Sequence, residues 1–141
     1  MIETEEARNI ALIKRLCAIW ETPDYTAEAM IPFFAEDCAV RFMHTLPFAY
    51  GTAAVVEQAR SLMPLGTERM KVRYLSTWIA GPVVVAHRID TLVIPGQPDS
   101  DWEMMGVFLV EDGKIKEWTD YMLTDFIQGA DGVVHARNSD I

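Results

Sequence analysis

The apolar residues of this chain change their period at about Pro64. Before that point they recur at helical spacing. In residues 4–21, Ala7, Ile10, Ala11, Ile13, Leu16, Cys17 and Trp20 form one broad face, with Glu6, Arg8, Lys14 and Arg15 largely outside it. After Pro64 the period drops to two, in long segments at 70–79, 83–94, 102–110 and 114–122. Gly81-Pro82, the stretch 95–100 and Glu111-Asp112-Gly113 separate them. Helices followed by a run of antiparallel strands define an α+β domain, because each sheet needs a second layer to cover its apolar face.

The helical half divides further. Thr4 is placed to cap the first helix, with acidic residues in its first turn, and Pro23 ends it. A short second helix is expected at 26–34, contributing Met30, Ile31, Phe33 and Phe34, with Pro32 kinking or tightening its last turn. A strand at 38–43 and an irregular link at 46–51 lead to a third helix at 52–63, with Thr52 as cap and Pro64 as stop. A curved, mixed but mostly antiparallel sheet over three helices makes a cone. Such a cone encloses a pocket suited to a small apolar ligand with a few polar groups at its base. Residues 1–128 read as one domain and 129–141 as a polar tail.

Composition narrows the partners. The 141 residues suffice for one domain with a hydrophobic core. A net charge of −9 argues against nucleic acid and anionic membranes, both of which attract basic surfaces. Two cysteines, Cys17 and Cys38, lie among apolar neighbours and are too few for a disulfide framework, which points to a reducing, cytoplasmic setting. The first residues are acidic, unlike a secretory leader, and no apolar run is long enough to span a bilayer. His44, His87 and His135 are too scattered for a metal motif, and no phosphate loop, dinucleotide fingerprint or nucleophile elbow is present. Neither metal nor cofactor is expected.

Two strands carry charge where apolar residues belong. Side chains two apart on a strand share a face, so Arg88 and Asp90 point one way, and Trp118 and Asp120 another. Whether the two faces meet depends on the turn at Glu111-Asp112-Gly113. A two-residue turn pairs Glu111 with Lys114 and sets Asp120 on the face of Met105 and Val107. A three-residue loop with Gly113 in a bulge pairs Val110 with Lys114, and puts Trp118 and Asp120 with Trp102, Met104 and Gly106. The second is favoured, since it collects Trp, Met and apolar side chains on one face. Trp102, Met104 and Trp118 then line the pocket. Two carboxylates in one apolar cavity cannot both ionise freely, so one can act as acid and the other as base, with Arg88 bridging them. Spacing alone equally allows an Arg-Asp salt bridge on a solvated sheet face.

The segments Arg88-Ile89-Asp90, Gly106-Val107-Phe108, Gly113-Lys114-Ile115 and Trp118-Thr119-Asp120-Tyr121 resemble the limonene-1,2-epoxide hydrolase family. So does the link Leu46-Pro47-Phe48-Ala49-Tyr50-Gly51. The resemblance implies a nuclear-transport-factor-2-like cone, and one-step opening of a small hydrophobic epoxide by water to a vicinal diol. In it Asp90 is general acid, Asp120 general base and Arg88 the link. It also implies a homodimer through the outer face of the sheet. In that family a Tyr and an Asn two apart on the first strand also hold the water. Here those positions read as Phe42, which lines the substrate pocket, and His44, which can stand in for the amide or mark a different reaction. An isomerase or cyclase of the same fold, moving a proton next to a carbonyl, is the alternative within enzymes. A non-catalytic binding module is the alternative outside them.

Overall fold

A computed structural model describes residues 3–23, 25–63, 66–124, 126–128 and 134–136. Helix α1 spans Glu5–Trp20, and the Thr4 hydroxyl caps it by accepting from the Ala7 amide at 3.1 Å. Leu12, Ile13, Leu16, Cys17 and Trp20 are its buried face; Asn9 is buried with them, whereas Ala7 is exposed. The expected second helix is a 3-10 turn, Ala27–Phe33. Pro32 inside it cannot donate a backbone hydrogen bond, which suits a short, tightly wound turn rather than an α-helix. Strand β1 (Phe34–Arg41) follows at once, so the first strand begins earlier than its polar Glu36-Asp37 suggests and ends before Phe42. After β2 (Ala49–Tyr50) comes α2 (Thr52–Leu62), whose N-cap is Gly51 at φ 82°, not Thr52. Among the described residues no side chain caps this end.

The long strands are β3 (Arg69–Ala80), β4 (Val83–Val93), β5 (Ser100–Glu111) and β6 (Lys114–Met122). They form a curved, open, six-stranded sheet in the order β2-β1-β6-β5-β4-β3, antiparallel except for the parallel β1–β6 pair. That one parallel pair brings the first strand against the last and draws the helices under the concave face. Two short strands, β7 (Phe126–Gln128) and β8 (Val134–Ala136), pair with each other. The expected polar tail otherwise lies outside the described residues.

The register of β5 on β6 takes a form that neither expected turn anticipated. Asp112 and Gly113 both have positive φ, 51° and 73°, and close a two-residue turn that pairs Glu111 with Lys114. Continued without a break, that turn would carry Asp120 to the outer face. Instead β6 takes up one extra residue at Lys116, because Val110 pairs with Ile115 while Leu109 pairs with Glu117. Trp118 therefore lies opposite Phe108, and Asp120 opposite Gly106. The inward face is the one the bulged loop had implied, two residues further along β5.

The core lies between α1 and this concave face, where Leu16, Phe108, Ile115, Val84, Val40 and Trp118 lose essentially all contact with solvent. Burying a side chain of that size contributes roughly 1.5–3 kcal/mol. Among the described residues Arg88 is, after Trp118, the largest side chain so completely enclosed. Among the described residues no helix is long and apolar enough to cross a membrane.

Candidate active site

Arg88 and Asp90 project inward from β4, which alternates strictly between buried and half-buried positions. Asp120 projects inward from β6, two strands away across β5. The residue that closes this gap is Gly106 on β5, paired with Ala86 on one side and Asp120 on the other. A Cβ there would stand 2.5 Å from Arg88 Nη1 and 2.8 Å from both Asp120 Oδ1 and Phe108 Cε2. The guanidinium thus passes over a strand position that has no side chain. An isolated glycine inside a strand is the signal of such a close approach, although sequence reasoning quoted Gly106 without giving it this role.

The result is a charged triad sealed in an apolar shell. Arg88 Nε donates to Asp90 Oδ1 at 2.9 Å and Nη2 to Asp90 Oδ2 at 3.1 Å. Nη1 donates to Asp120 Oδ1 at 3.1 Å and Nη2 to Asp120 Oδ2 at 2.5 Å. One planar cation therefore holds two carboxylates, each at both oxygens. Arg88, Asp90 and Asp120 are 0%, 1% and 2% exposed. Taking charges from water costs several kcal/mol per ion, so only this dense pairing makes the cluster tolerable.

Its electrostatics set Asp90 apart from an ordinary carboxyl. Burial pushes the Asp90 carboxyl up to about 6; Arg88 pulls it down, and Asp120 adds to the rise. Burial also works against the Arg88 charge, but Asp120 and Asp90 outweigh it and hold the guanidinium firmly protonated. Asp120 gains a further donor, since Trp118 Nε1 lies 2.7 Å from its Oδ1. Trp118 is therefore a hydrogen-bonding partner of the acid cluster, as well as part of the buried aromatic core.

The other residues singled out from the sequence divide into two groups. Met104 is buried against the triad, its Sδ 3.8 Å from Arg88 Nη2. Phe42 packs edge-on to the Trp118 ring at 4.9 Å, within an aromatic cluster that includes Trp20, Phe34 and Phe108. Trp20 also lies under the guanidinium, 5.6 Å from ring centre to Cζ. Trp102 is half-buried opposite Asp90 and donates to Ser100 Oγ at 2.8 Å. His44 is not brought to the triad. It is exposed beyond the end of β1, its ring stacked on Tyr121 at 5.7 Å and its Nδ1 accepting from the Met122 amide at 3.2 Å. Tyr121 alternates with Asp120 and faces the outer side, so His44 covers that side. The cause is the early end of β1, after which the chain bends outward at Phe42–His44.

The arrangement can move protons at an oxygen or carbon presented to two unlike carboxyls without solvent competing for them. Among the described residues, no group of three or more His, Cys, Asp or Glu side chains is placed to hold a metal ion.

Solved structures share this architecture. An epoxide hydrolase of M. tuberculosis, described as LEH-like, superposes with a TM-score of 0.68 at 21% identity, over 84% of this chain and 85% of that one. A protein of Jannaschia sp. CCS1 assigned as a SnoaL-like polyketide cyclase gives 0.69 at 16% identity, over 87% and 91%. One from Xanthomonas campestris pv. campestris, assigned as a polyketide cyclase, gives 0.68 at 22%, over 84% and 92%. At such identities the likeness is one of fold. The model of the SnoaL-like domain matches residues 13–118, from the core face of α1 to the tryptophan beside Asp120. The chain belongs to the SnoaL-like domain family.

Proposed function

We propose that this protein is a cofactor-independent hydrolase that opens a small hydrophobic epoxide with water to a vicinal diol. The observation that carries the reading is the double bidentate hold of Arg88 on Asp90 and Asp120 at near-zero exposure. With Asp90 pushed up to about 6, its carboxyl still carries a proton in about half of the molecules at that pH and in about a tenth at pH 7, on the same guanidinium that holds Asp120. Asp120 takes a proton from water as the water oxygen bonds to a ring carbon. The carbon–oxygen bond of the epoxide breaks, and its oxygen takes the proton of Asp90. Asp120 then gives up the proton it took and Asp90 takes one back, directly or by way of solvent, which restores both carboxyls before the next turnover. Met104, Phe42 and Trp118 supply the apolar wall, and Trp102 its outer edge.

One observation favours a second reading. The first-strand positions where the resembled family holds its water carry apolar Phe42 and outward His44. An isomerase or cyclase moves a proton next to a carbonyl with the same two carboxyls and needs no held water. Incubating the protein with apolar epoxides in oxygen-18 water separates the two. Labelled diol, abolished by Asp90→Asn and by Asp120→Asn, supports the hydrolase. Intact epoxide, together with deuterium exchange beside a cyclic ketone carbonyl, replaces it with the isomerase.

The reading includes a homodimer through the outer face of the sheet, where Leu75, Trp78 and Tyr121 are 46%, 51% and 41% exposed.

A further inference from the structure

A polar atom next to the triad has no role in the structure so far. Tyr74 lies directly opposite Arg88 in the β3–β4 ladder, and its ring packs inward against the core. Side chains opposite each other in a ladder are in contact range. Lys14 of α1 stands 5.3 Å over the ring centre. The hydroxyl is lost to solvent and, among the described residues, has no well-formed hydrogen bond. The Cys17 thiol is its polar neighbour, close enough for each to affect the other's ionisation, but sulfur is a weak hydrogen-bonding partner that leaves the hydroxyl without an oxygen acceptor. Burial raises both groups, Cys17 to about 12, so both stay neutral and donate rather than accept charge.

Leaving a buried hydroxyl unpaired costs free energy that a phenylalanine at the same place would not incur. Such a group has a use when a ligand completes it. The backbone adds a second sign. The β3–β4 register slips between Tyr74 and Ser76, a bulge directly after Tyr74 that re-aims the side chain. A third is position in the sheet. Tyr74 is on β3, adjacent to β4 with Asp90, and separated by β4 and β5 from the strand of Asp120. It therefore serves the side of the site where the acid stands, and where a reacting substrate oxygen takes its proton.

We infer that the Tyr74 hydroxyl donates a hydrogen bond to the oxygen atom of a small, otherwise apolar substrate, beside Asp90. It supplies from β3 a polar contact that Phe42 and His44 do not supply from the first strand. The inference rests on the proposed acid–base reading for the identity of the oxygen, an epoxide's, but its test does not depend on turnover.

The variant is Tyr74→Phe, and the probes are cyclohexanol and cyclohexene oxide against methylcyclohexane, a hydrocarbon of similar shape. Dissociation constants come from titration followed by NMR, and Tm from thermal unfolding without ligand. The variant should bind both oxygenated probes about tenfold more weakly, the loss of one hydrogen bond, and methylcyclohexane unchanged. Its ligand-free Tm should hold or rise, because an unsatisfied buried hydroxyl has been removed. A structural hydroxyl would do the reverse, lowering Tm and leaving affinities alone. Any result other than selective loss for the oxygenated probes overturns the inference, including a wild type that binds neither class. The two proposals fail separately. If wild type opens no epoxide but the selective loss appears, the hydrolase reading falls and Tyr74 keeps its place. If wild type and variant open epoxides with equal KM and bind the probes alike, Tyr74 falls and the hydrolase stands.

Discussion

Each face of the sheet departs at a few positions from the usual pattern of a half-buried antiparallel sheet. Its concave face, covered by helices, encloses Arg88, Asp90 and Asp120 at 2% exposure or less. Its convex face bears Leu75, Trp78 and Tyr121, each more than 40% exposed. Three charged side chains sit within the oil, and three large apolar ones sit out in solvent. The two departures differ in what sustains them. The inner one is locally satisfied, with every carboxylate oxygen bonded; the outer one has no cover among the described residues. A fully paired violation marks chemistry, and an uncovered one marks a surface for contact.

The inner face should break most severely when its cation is removed. Arg88→Met leaves two buried carboxylates facing each other without a counter-charge. Breaking a buried pair in this way costs about 3–5 kcal/mol. Urea unfolding at pH 7 should show that loss, and lowering the pH towards 4 should recover part of it as the carboxyls protonate. A loss below about 1 kcal/mol would mean that water reaches the cluster.

The ionisation of Asp90 gives the next largest effect. Its folded value, about 6, lies above the ordinary 3.8. Between those values the folded state binds more protons than the unfolded one, so stability falls as pH rises. The contribution is fully present below about 3.8, is lost as pH climbs through about 6, and amounts to roughly 3 kcal/mol at most. Asp90→Asn should flatten that part of the stability–pH curve. If Asp90 is the acid, kcat/KM should decline over the same rise through about 6, and a rate that grows there would exclude it from that role.

Much of this inner face was legible before the structure, and the reasons for the remainder are specific. Arg88 and Asp90 share a face by strand periodicity alone, and the change of period near Pro64 sets the α+β order. The meeting with Asp120 depended on register, and register came from two local features that offset each other: a tight Asp112-Gly113 turn and one extra residue at Lys116. A turn leaves a trace in residue type. A bulge between ordinary residues such as Ile115 and Glu117 does not, because tertiary packing of Trp118 inward settles it. Trp118 as a donor to Asp120 was equally hidden, since packing and hydrogen bonding ask for the same residue. His44 misled because its position was read along a strand that ends three residues earlier.

Gly106 tests how closely the concave face is fitted. Gly106→Ala puts a methyl group where Arg88 Nη1 and Asp120 Oδ1 now stand, at 2.5 and 2.8 Å. Overpacking typically costs about 1–3 kcal/mol. Activity should suffer more than stability, by roughly 100-fold, because displacing a reacting group by an ångström is enough for that. Full activity in this variant would show that the triad can shift without consequence, and would sever the geometry from the chemistry.

The convex face predicts the smallest change in stability and the clearest change in association. Trp78 pairs with Val85, and the neighbouring outward positions on β4 and β5 include Ile89, Met105, Val107 and Leu109. Trp78→Ser should leave the fold of a single chain within about 0.5 kcal/mol, as surface changes usually do. If a second copy covers this face, the same change removes one of its largest apolar contacts, in the residue type that dominates such contacts. Sedimentation at micromolar concentration should then shift from dimer towards monomer, while the concave site keeps its ligand affinity. A wild type that sediments as a monomer would instead leave the convex face without its proposed partner. The contrast between a satisfied inner violation and an uncovered outer one would then need another contact to complete it.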